Sequence, residues 1–415
     1  MLALIIRTQY SLFPTARLQP RILPPTIDVI DAERKDRAAK VLAEAHLDAM
    51  ICNSASAVLL LTGYWPVLGA SVAVFTKEGE VQVALPEDEV ELARRTSNAL
   101  LIPYQPSTLA ALASPIDALA EPLRLLANKL GLCRAYIGVQ VDEGMQPATY
   151  LSSIAFRSSF FGLLERLLPE ANFRTCDNEL KQLQARKTPM ELEGIRRASE
   201  IAAAGFEHAA AVIQAGRREA EIAADLQAAF QATTKAEGIE RNYGFFFCMS
   251  GPNSARASAA YACTRQRTVE AGDLVMIHAN TCSDGYWTDI TRTYTAGTPT
   301  GRQDAIRSAI LEARKEALSA IHPGVRACDV DRAVRQVMSA HGFGDAFKHS
   351  TGHGVGFAAA NANALPRIHP QSPDVLEVGM TFNVEPAAYF DGYGGMRHCD
   401  VVAVTSEGAT VFTEF

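Results

Sequence analysis

The stretch HSTGHGVGF, residues 349–357, sets two histidines four apart in a glycine-rich run. That spacing suits a metal site, an acid–base pair or two histidines on a turn, and alone it leaves all three open. More chemistry lies on either side. In GDLVMIHANTCSDGYWTDITRTY (272–294) an apolar β-like run leads into Asp284-Gly285, a strong hairpin signal. If those two residues form the turn, His278 pairs with Thr291. The period of two along a strand then puts His278, Asp289 and Thr291 on one face. MTFNVEPAAYF (380–390) sets Glu385 in an apolar strand before Pro386, and GGMRHCDVVAV (394–404) carries Arg397, His398, Cys399 and Asp400 on another. An isolated buried carboxylate is costly. Arg397 or a metal ion would offset Glu385, and a purely structural Glu–Arg pair would do the same.

The elements that must position these residues fall into two regimes. A chain of 415 residues exceeds one ordinary core, so two domains are expected. From 28 to 185 the pattern alternates. RKDRAAKVLAEAHL reads as helix, DAMICN, SVAVFT and EVQVALP as short strands, and DEVELARRT as helix. No charge occurs between Asp48 and Lys77, but Asn53, Gly63, Pro66 and Gly69 interrupt that stretch. It reads as strand, turn, strand in a buried sheet rather than a membrane span. From 186 to 415, Ile195, Ala198, Ala202, Phe206, Ala209 and Ile213 recur at helical spacing, and Gly216 ends the run. The helix pair recurs: AVIQAGRREAEIAADL (211–226) aligns with SAIHPGVRACDVDRAV (319–334), matching Gly216 with Gly324, Arg218 with Arg326 and Glu221 with Asp329. A duplicated α/β unit with pseudo-twofold symmetry would place a site between its halves. Residues 1–27, with four prolines and no periodicity, read as a poorly ordered leader. Composition is that of a globular protein, 48% hydrophobic and 20% charged. The net charge of −7 recommends no nucleic-acid partner. Eight scattered cysteines without a CxxC pair, and no signal-peptide pattern, point to a reduced cytosolic chain.

DGYWTDITRTY, HSTGHGVGF, GMTFNVEPAAY and GGMRHCDVVAVT, preceded by KTPMELEGIRRA and SGPNSA, together resemble the pita-bread family that includes methionine aminopeptidase, aminopeptidase P, prolidase and creatinase. The resemblance covers 186–415 well and extends more weakly over 28–185, as the N-terminal domain of the creatinase and prolidase branch. It implies an α/β fold with a C-terminal pita-bread domain of pseudo-twofold symmetry. It also implies two metal ions held by Asp, Asp, His, Glu and Glu. The second Asp matches Asp289, the His matches His353 and the first Glu matches Glu385. The first Asp falls on His278 and the last Glu on Cys399. Two histidines that the peptidases place near substrate fall on Tyr261 and Ala360. Three of five ligand positions are kept and both auxiliary histidines are lost.

Both altered ligand positions belong to the second ion. The expectation is therefore at most one divalent ion (zinc, manganese or iron) on Asp289, His353 and Glu385, with His278 and Cys399 as further donors. The other possibility is none, as in creatinase. His278, Glu385, His349, Arg397 and Cys399 are the candidate catalytic residues, with Tyr261 next to substrate. His278 could be a general base, and Cys399 either a nucleophile or an inert thiol. The resemblance implies a hydrolase that cleaves a C–N bond in a small-molecule or dipeptide-like substrate, and not a standard dinuclear aminopeptidase. A genuine Xaa-Pro dipeptidase with an unusual metal site and a binding module that has lost catalysis are the alternatives. No membrane is expected as a partner. A cytosolic homodimer is, with the uncharged stretch at 55–75 supporting the pairing.

Overall fold

The structure is a computed structural model that describes residues 31–67, 71–106, 115–141, 158–232, 239–258, 263–359, 361 and 364–415. The expected leader, Tyr261 and Ala360 lie outside the described residues. The chain forms two compact units: one takes in Leu42–Val139 and Phe156–Arg174, the other Asp31–Val41 and Thr175–Phe415.

The first unit is built on a six-stranded sheet of β1 (Ala49–Cys52), β2 (Val72–Thr76), β3 (Val81–Pro86), β4 (Leu100–Tyr104), β5 (Tyr136–Val139) and β6 (Asn172–Thr175), in the order β4-β3-β2-β1-β5-β6. The uncharged stretch is not strand, turn, strand. Between β1 and β2 lies a helix, Ala55–Thr62, capped by the Ser54 hydroxyl at its start and by left-handed Gly63 at its end. Ala57 to Thr62 are all buried, so the helix is apolar all round and gives no periodic signal. That burial also removes most of the stretch as a surface for pairing two copies. Among the described residues no helix is long and apolar enough to cross a membrane, and all eight cysteines are free.

The second unit repeats a helix pair. Pro189–Val212 and Glu219–Gln231 form one pair, Gly301–Ala320 and Ala327–Ala340 the other. The two inter-helix turns match residue for residue. Gly216 and Gly324 take φ of 91° and 87°, a region open to glycine. Their N–H groups donate to Val269 and Leu376 carbonyls. Arg218 and Arg326 then bridge antiparallel to Thr268 and Val375. The first pair buries Ile195, Phe206, Ile222 and Phe230 against a sheet of β7 (Asn242–Ser250), β8 (Leu274–Ser283) and β9 (Tyr286–Thr295). The second pair buries Ile306, Ile310, Val330 and Val334 against β10 (Thr381–Val384), β11 (Ala387–Phe390), β12 (Gly394–Arg397) and β13 (Asp400–Thr405). β14 (Gly408–Val411) adds to β13.

Candidate active site

The β8–β9 hairpin turns at Asp284 and Gly285, whose φ values are 46° and 93°, as a two-residue primed turn requires. The register pairs His278 with Thr291 and Asn280 with Asp289. Ile277 and Ala279 face the helices, so His278 and Asp289 emerge on the opposite face, with His278 Nδ1 3.6 Å from Asp289 Oδ1. The second half delivers the rest. An antiparallel bridge joins Thr291 to Cys399, which brings the β12–β13 corner and its Arg397 against β9. Glu385 sits between β10 and β11.

His353 arrives on a loop that two glycines allow. A Cβ on Gly352 would stand 1.8 Å from the Asn383 carbonyl oxygen, and one on Gly354 2.2 Å from that of Leu365. The His353 N–H donates to Asn383 Oδ1 at 2.7 Å, and Asn383 Nδ2 lies 3.3 Å from both Asp289 Oδ2 and His353 Nε2. Asn383 lies two residues before Glu385 on the same strand, and sequence reading passed over it.

The hydrogen-bond partners assign His353 and His349 one tautomer and His278 the other. His353 Nδ1 donates to the Gly354 carbonyl at 3.2 Å, which leaves Nε2 to accept from Asn383 Nδ2 at 3.3 Å, 3.6 Å from Asp289 Oδ2. His349 Nδ1 donates to the Ser350 carbonyl at 2.8 Å, and its Nε2 accepts from the Tyr389 hydroxyl at 2.9 Å. His278 Nδ1 lies 3.0 Å from Arg397 Nη2 and 3.0 Å from Thr291 Oγ1. A guanidinium only donates, so this nitrogen accepts. Burial, with Arg397 beside them, pushes both His278 and His349 down to about 4, and both stay neutral.

The acids differ as well. Burial raises the Asp289 carboxyl, against the pull of His278 and His353. Burial also raises Glu385, against Arg397, whose Nη1 stands 3.6 Å from Glu385 Oε2. Among the described residues the Glu385 carboxylate has no hydrogen-bond donor, which leaves its lone pairs open. Cys399 is fully buried and its thiol donates to the Asp289 carbonyl at 3.2 Å. Burial next to Asp289 and Glu385 lifts it well above the ordinary thiol value, a state without the thiolate a nucleophile needs.

Further residues hold the frame. Asp331, fully buried, accepts from the Thr351 N–H at 3.0 Å and its hydroxyl at 2.9 Å. Arg335 pairs with Asp331 at 2.7 Å and donates to the His349 carbonyl at 2.6 Å. Asp400 is gripped by Arg292 at 2.8 Å and by Arg314. Burial alone would raise its carboxyl, but the His398 hydrogen bond and Arg292 hold it well below the usual range. Both acids lie on apolar helical or strand patterns, where sequence gives no sign of their partners.

One divalent ion fits part of this set. Ligands about 2.1 Å from an ion in tetrahedral array lie roughly 3.4 Å apart, close to the Asp289–His353 separation of 3.6 Å. The His353 tautomer is that of a ligand whose second nitrogen is held by a carbonyl. Among the described residues no three His, Cys, Asp or Glu side chains are drawn up closely enough to grip an ion.

Known proteins resemble this arrangement over most of its length. A family model described as metallopeptidase family M24 matches residues 193–406, and one described as creatinase/prolidase N-terminal domain matches 34–184. An Xaa-Pro dipeptidase of Pyrococcus furiosus is 34% identical over 257 residues, 61% of this chain and 71% of its own. One of Pyrococcus horikoshii is 26% identical over 92% of this chain and 97% of its own. The crystal structure of the prolidase from Pyrococcus horikoshii OT3 superposes with a TM-score of 0.72 at 25% identity, covering 92% of this chain and 98% of that one. An Xaa-Pro dipeptidase from Bacillus anthracis gives 0.74 at 25%, with the same coverage.

Proposed function

The chain belongs to metallopeptidase family M24 and is a hydrolase acting on peptide C–N bonds; from that premise we propose that it is a dipeptidase working with a single divalent ion. The Xaa-Pro dipeptidase relatives favour catalysis over a binding module. The observation that carries the reading is the facing pair of Asp289 Oδ2 and His353 Nε2, 3.6 Å apart, with the undonated carboxylate of Glu385 alongside.

Asp289, His353 and Glu385 would hold the ion. Bound there, zinc, manganese or iron would polarise the scissile carbonyl and lower the pKa of water. The chain's own side chains do the rest. His353 offers Nε2 because Gly354 occupies Nδ1. Asn383 fixes His353 and Asp289 relative to each other. Glu385, raised by burial, takes and returns the proton of the attacking water. The roles of nucleophile for Cys399 and general base for His278 are given up: the thiol is held protonated, and the His278 Nδ1 lone pair is already engaged by Arg397.

Charge supports one ion. The peptidases this chain resembles set four carboxylates and one arginine around two divalent ions, a net of +1. Here Asp289, Glu385 and Arg397 reach that same +1 with a single ion. Dipeptides are the substrate class, after the relatives' names. Xaa-Pro dipeptides are turned over slowly, because Tyr261 and Ala360 replace the two auxiliary histidines. A cytosolic homodimer remains part of the proposal, and light scattering at micromolar concentration tests the pairing. The activity test is a dipeptide panel run before and after chelation. Turnover that disappears with the chelator and returns with one equivalent of ion is the expected result. No hydrolysis of any dipeptide under any metal would overturn the reading.

A further inference from the structure

Arg397 is held in place at both backbone and side chain. Its N–H donates to Thr293 Oγ1 and its carbonyl accepts from the same hydroxyl, each at 3.0 Å. Its side chain is buried and donates from Nε to Thr291 Oγ1 at 3.0 Å, from Nη2 to His278 Nδ1 at 3.0 Å, and from Nη1 to the Tyr389 hydroxyl at 3.4 Å. All three acceptors are neutral. The guanidinium thus makes its hydrogen bonds to imidazole, hydroxyl and phenol, which fix its position without a charge of their own. Glu385, at 3.6 Å, is the nearest carboxylate.

The consequence falls on His278. An always-protonated donor on Nδ1 forces the proton of a neutral imidazole onto Nε2. The Asn280 side chain hydrogen-bonds the same ring. Phe247 stacks on its face, ring centres 5.9 Å apart at 18°. Nδ1 and one face of the ring are thus engaged, and Asn280 bonds the ring as well. The contrast with His353, whose Nδ1 donates to a carbonyl and whose Nε2 faces Asp289 and Asn383, lies in the partners and not in the residue type.

We infer that His278 is neither a metal ligand nor a base but a positioning residue: a neutral acceptor, fixed in one tautomer, that holds the Arg397 guanidinium in place beside Glu385. An aspartate here, as the family resemblance places in the peptidases, would instead pair with Arg397 as a second carboxylate and invite a second ion. The inference rests on the single-ion reading above but is tested apart from it.

The test is nitrogen NMR of the full chain labelled at histidine, with His278→Asn identifying the His278 signals. His278 is expected to show protonated Nε2 and bare Nδ1 at neutral pH. It should stay so as zinc is added, while His353 Nε2 shifts with the first equivalent. His278→Asn, which keeps a neutral acceptor, should retain dipeptide turnover within about threefold, and His278→Ala should lose about 100-fold. A His278 signal that moves with zinc, or a protonated Nδ1 in the wild type, would overturn the inference even if a variant fails to fold. Absence of dipeptide turnover with the His278 signals as expected would instead remove the peptidase reading and leave the tautomer assignment standing.

Discussion

Replacing Arg397 by Met should destabilise the second unit and move the acid limb of activity. Three acceptors lose their donor: His278 Nδ1 and Thr291 Oγ1, each at 3.0 Å, and the Tyr389 hydroxyl at 3.4 Å. The last is long enough to count for little. His278 Nδ1 and Thr291 Oγ1 also lie 3.0 Å from each other, so part of the loss is recovered by their own bond. Two buried carboxylates, Asp289 and Glu385, lose their compensating cation. Breaking a buried charge pair from one side costs about 3–5 kcal/mol, and the partial recovery places the expected loss near 3 kcal/mol. That is a large share of the roughly 5–15 kcal/mol that separates a folded domain from its unfolded state. Denaturant unfolding should be followed by tryptophan fluorescence in a Trp65→Phe background. Trp287 on β9 then reports the unit that holds the site. Arg397 also draws the Glu385 carboxyl down against burial. Without it Glu385 protonates at higher pH, and activity should fail sooner on acidification. A loss below about 1 kcal/mol at pH 7, with an unmoved acid limb, would refute the assignment of Arg397 as the compensating charge.

The buried imidazoles make stability pH-dependent. His278 and His349 titrate near 4 in the folded chain against about 6.5 unfolded, so the unfolded state binds more protons in between. Their contribution is complete above 6.5 and is lost as pH falls toward 4, by about 2–3 kcal/mol each; urea midpoints from pH 8 to 4 check this, and a flat profile contradicts it. Lys187 is buried, its acceptors among the described residues are the Ala185 and Thr381 carbonyls at 3.3 and 3.4 Å, and burial pushes its amine down to about 7. Its penalty is full below 7 and fades as pH rises toward 10.5, so Lys187→Met should gain about 1–3 kcal/mol at pH 6 and less at pH 9. A variant less stable at both values would contradict that sign. For substrate choice, Ala360→His should raise Ala-Pro turnover by at least about 10-fold. Wild-type turnover above about 10 s⁻¹ on Ala-Pro would sink the claim that Xaa-Pro substrates are poor.

What the sequence made legible is what periodicity and turn chemistry encode. Asp284-Gly285 set the hairpin, the hairpin set the pairing of 278 with 291, and the period of two put His278 and Asp289 on one face. The repeated Gly and Arg at 216/218 and 324/326 announced the duplicated helix pair. The helix at Ala55–Thr62 escaped because an element buried all round carries no stripe, and only its caps Ser54 and Gly63 marked it. In the site, residue types were legible and their states were not. His278, His349 and His353 look alike in sequence. Their tautomers depend on Arg397, Ser350, Tyr389 and Gly354, which the fold brings in from β12, β11 and the histidine loop. Cys399 reads as either a nucleophile or an inert thiol, and its full burial next to Asp289 favours the inert one. Asn383, Asp331 and Lys187 act through contacts distant in sequence, and nothing in their local pattern announces them.

The most direct test of the single-ion account is the metal content of the purified wild-type chain compared with a His278→Asp/Cys399→Glu double variant, each saturated with zinc or manganese and then dialysed. The wild type should hold one ion per chain, lost only on chelation, and the double variant, with both carboxylates restored, should take up a second. Two tightly held ions in the wild type would contradict the account, because His278 or Cys399 would then be serving as a full ligand.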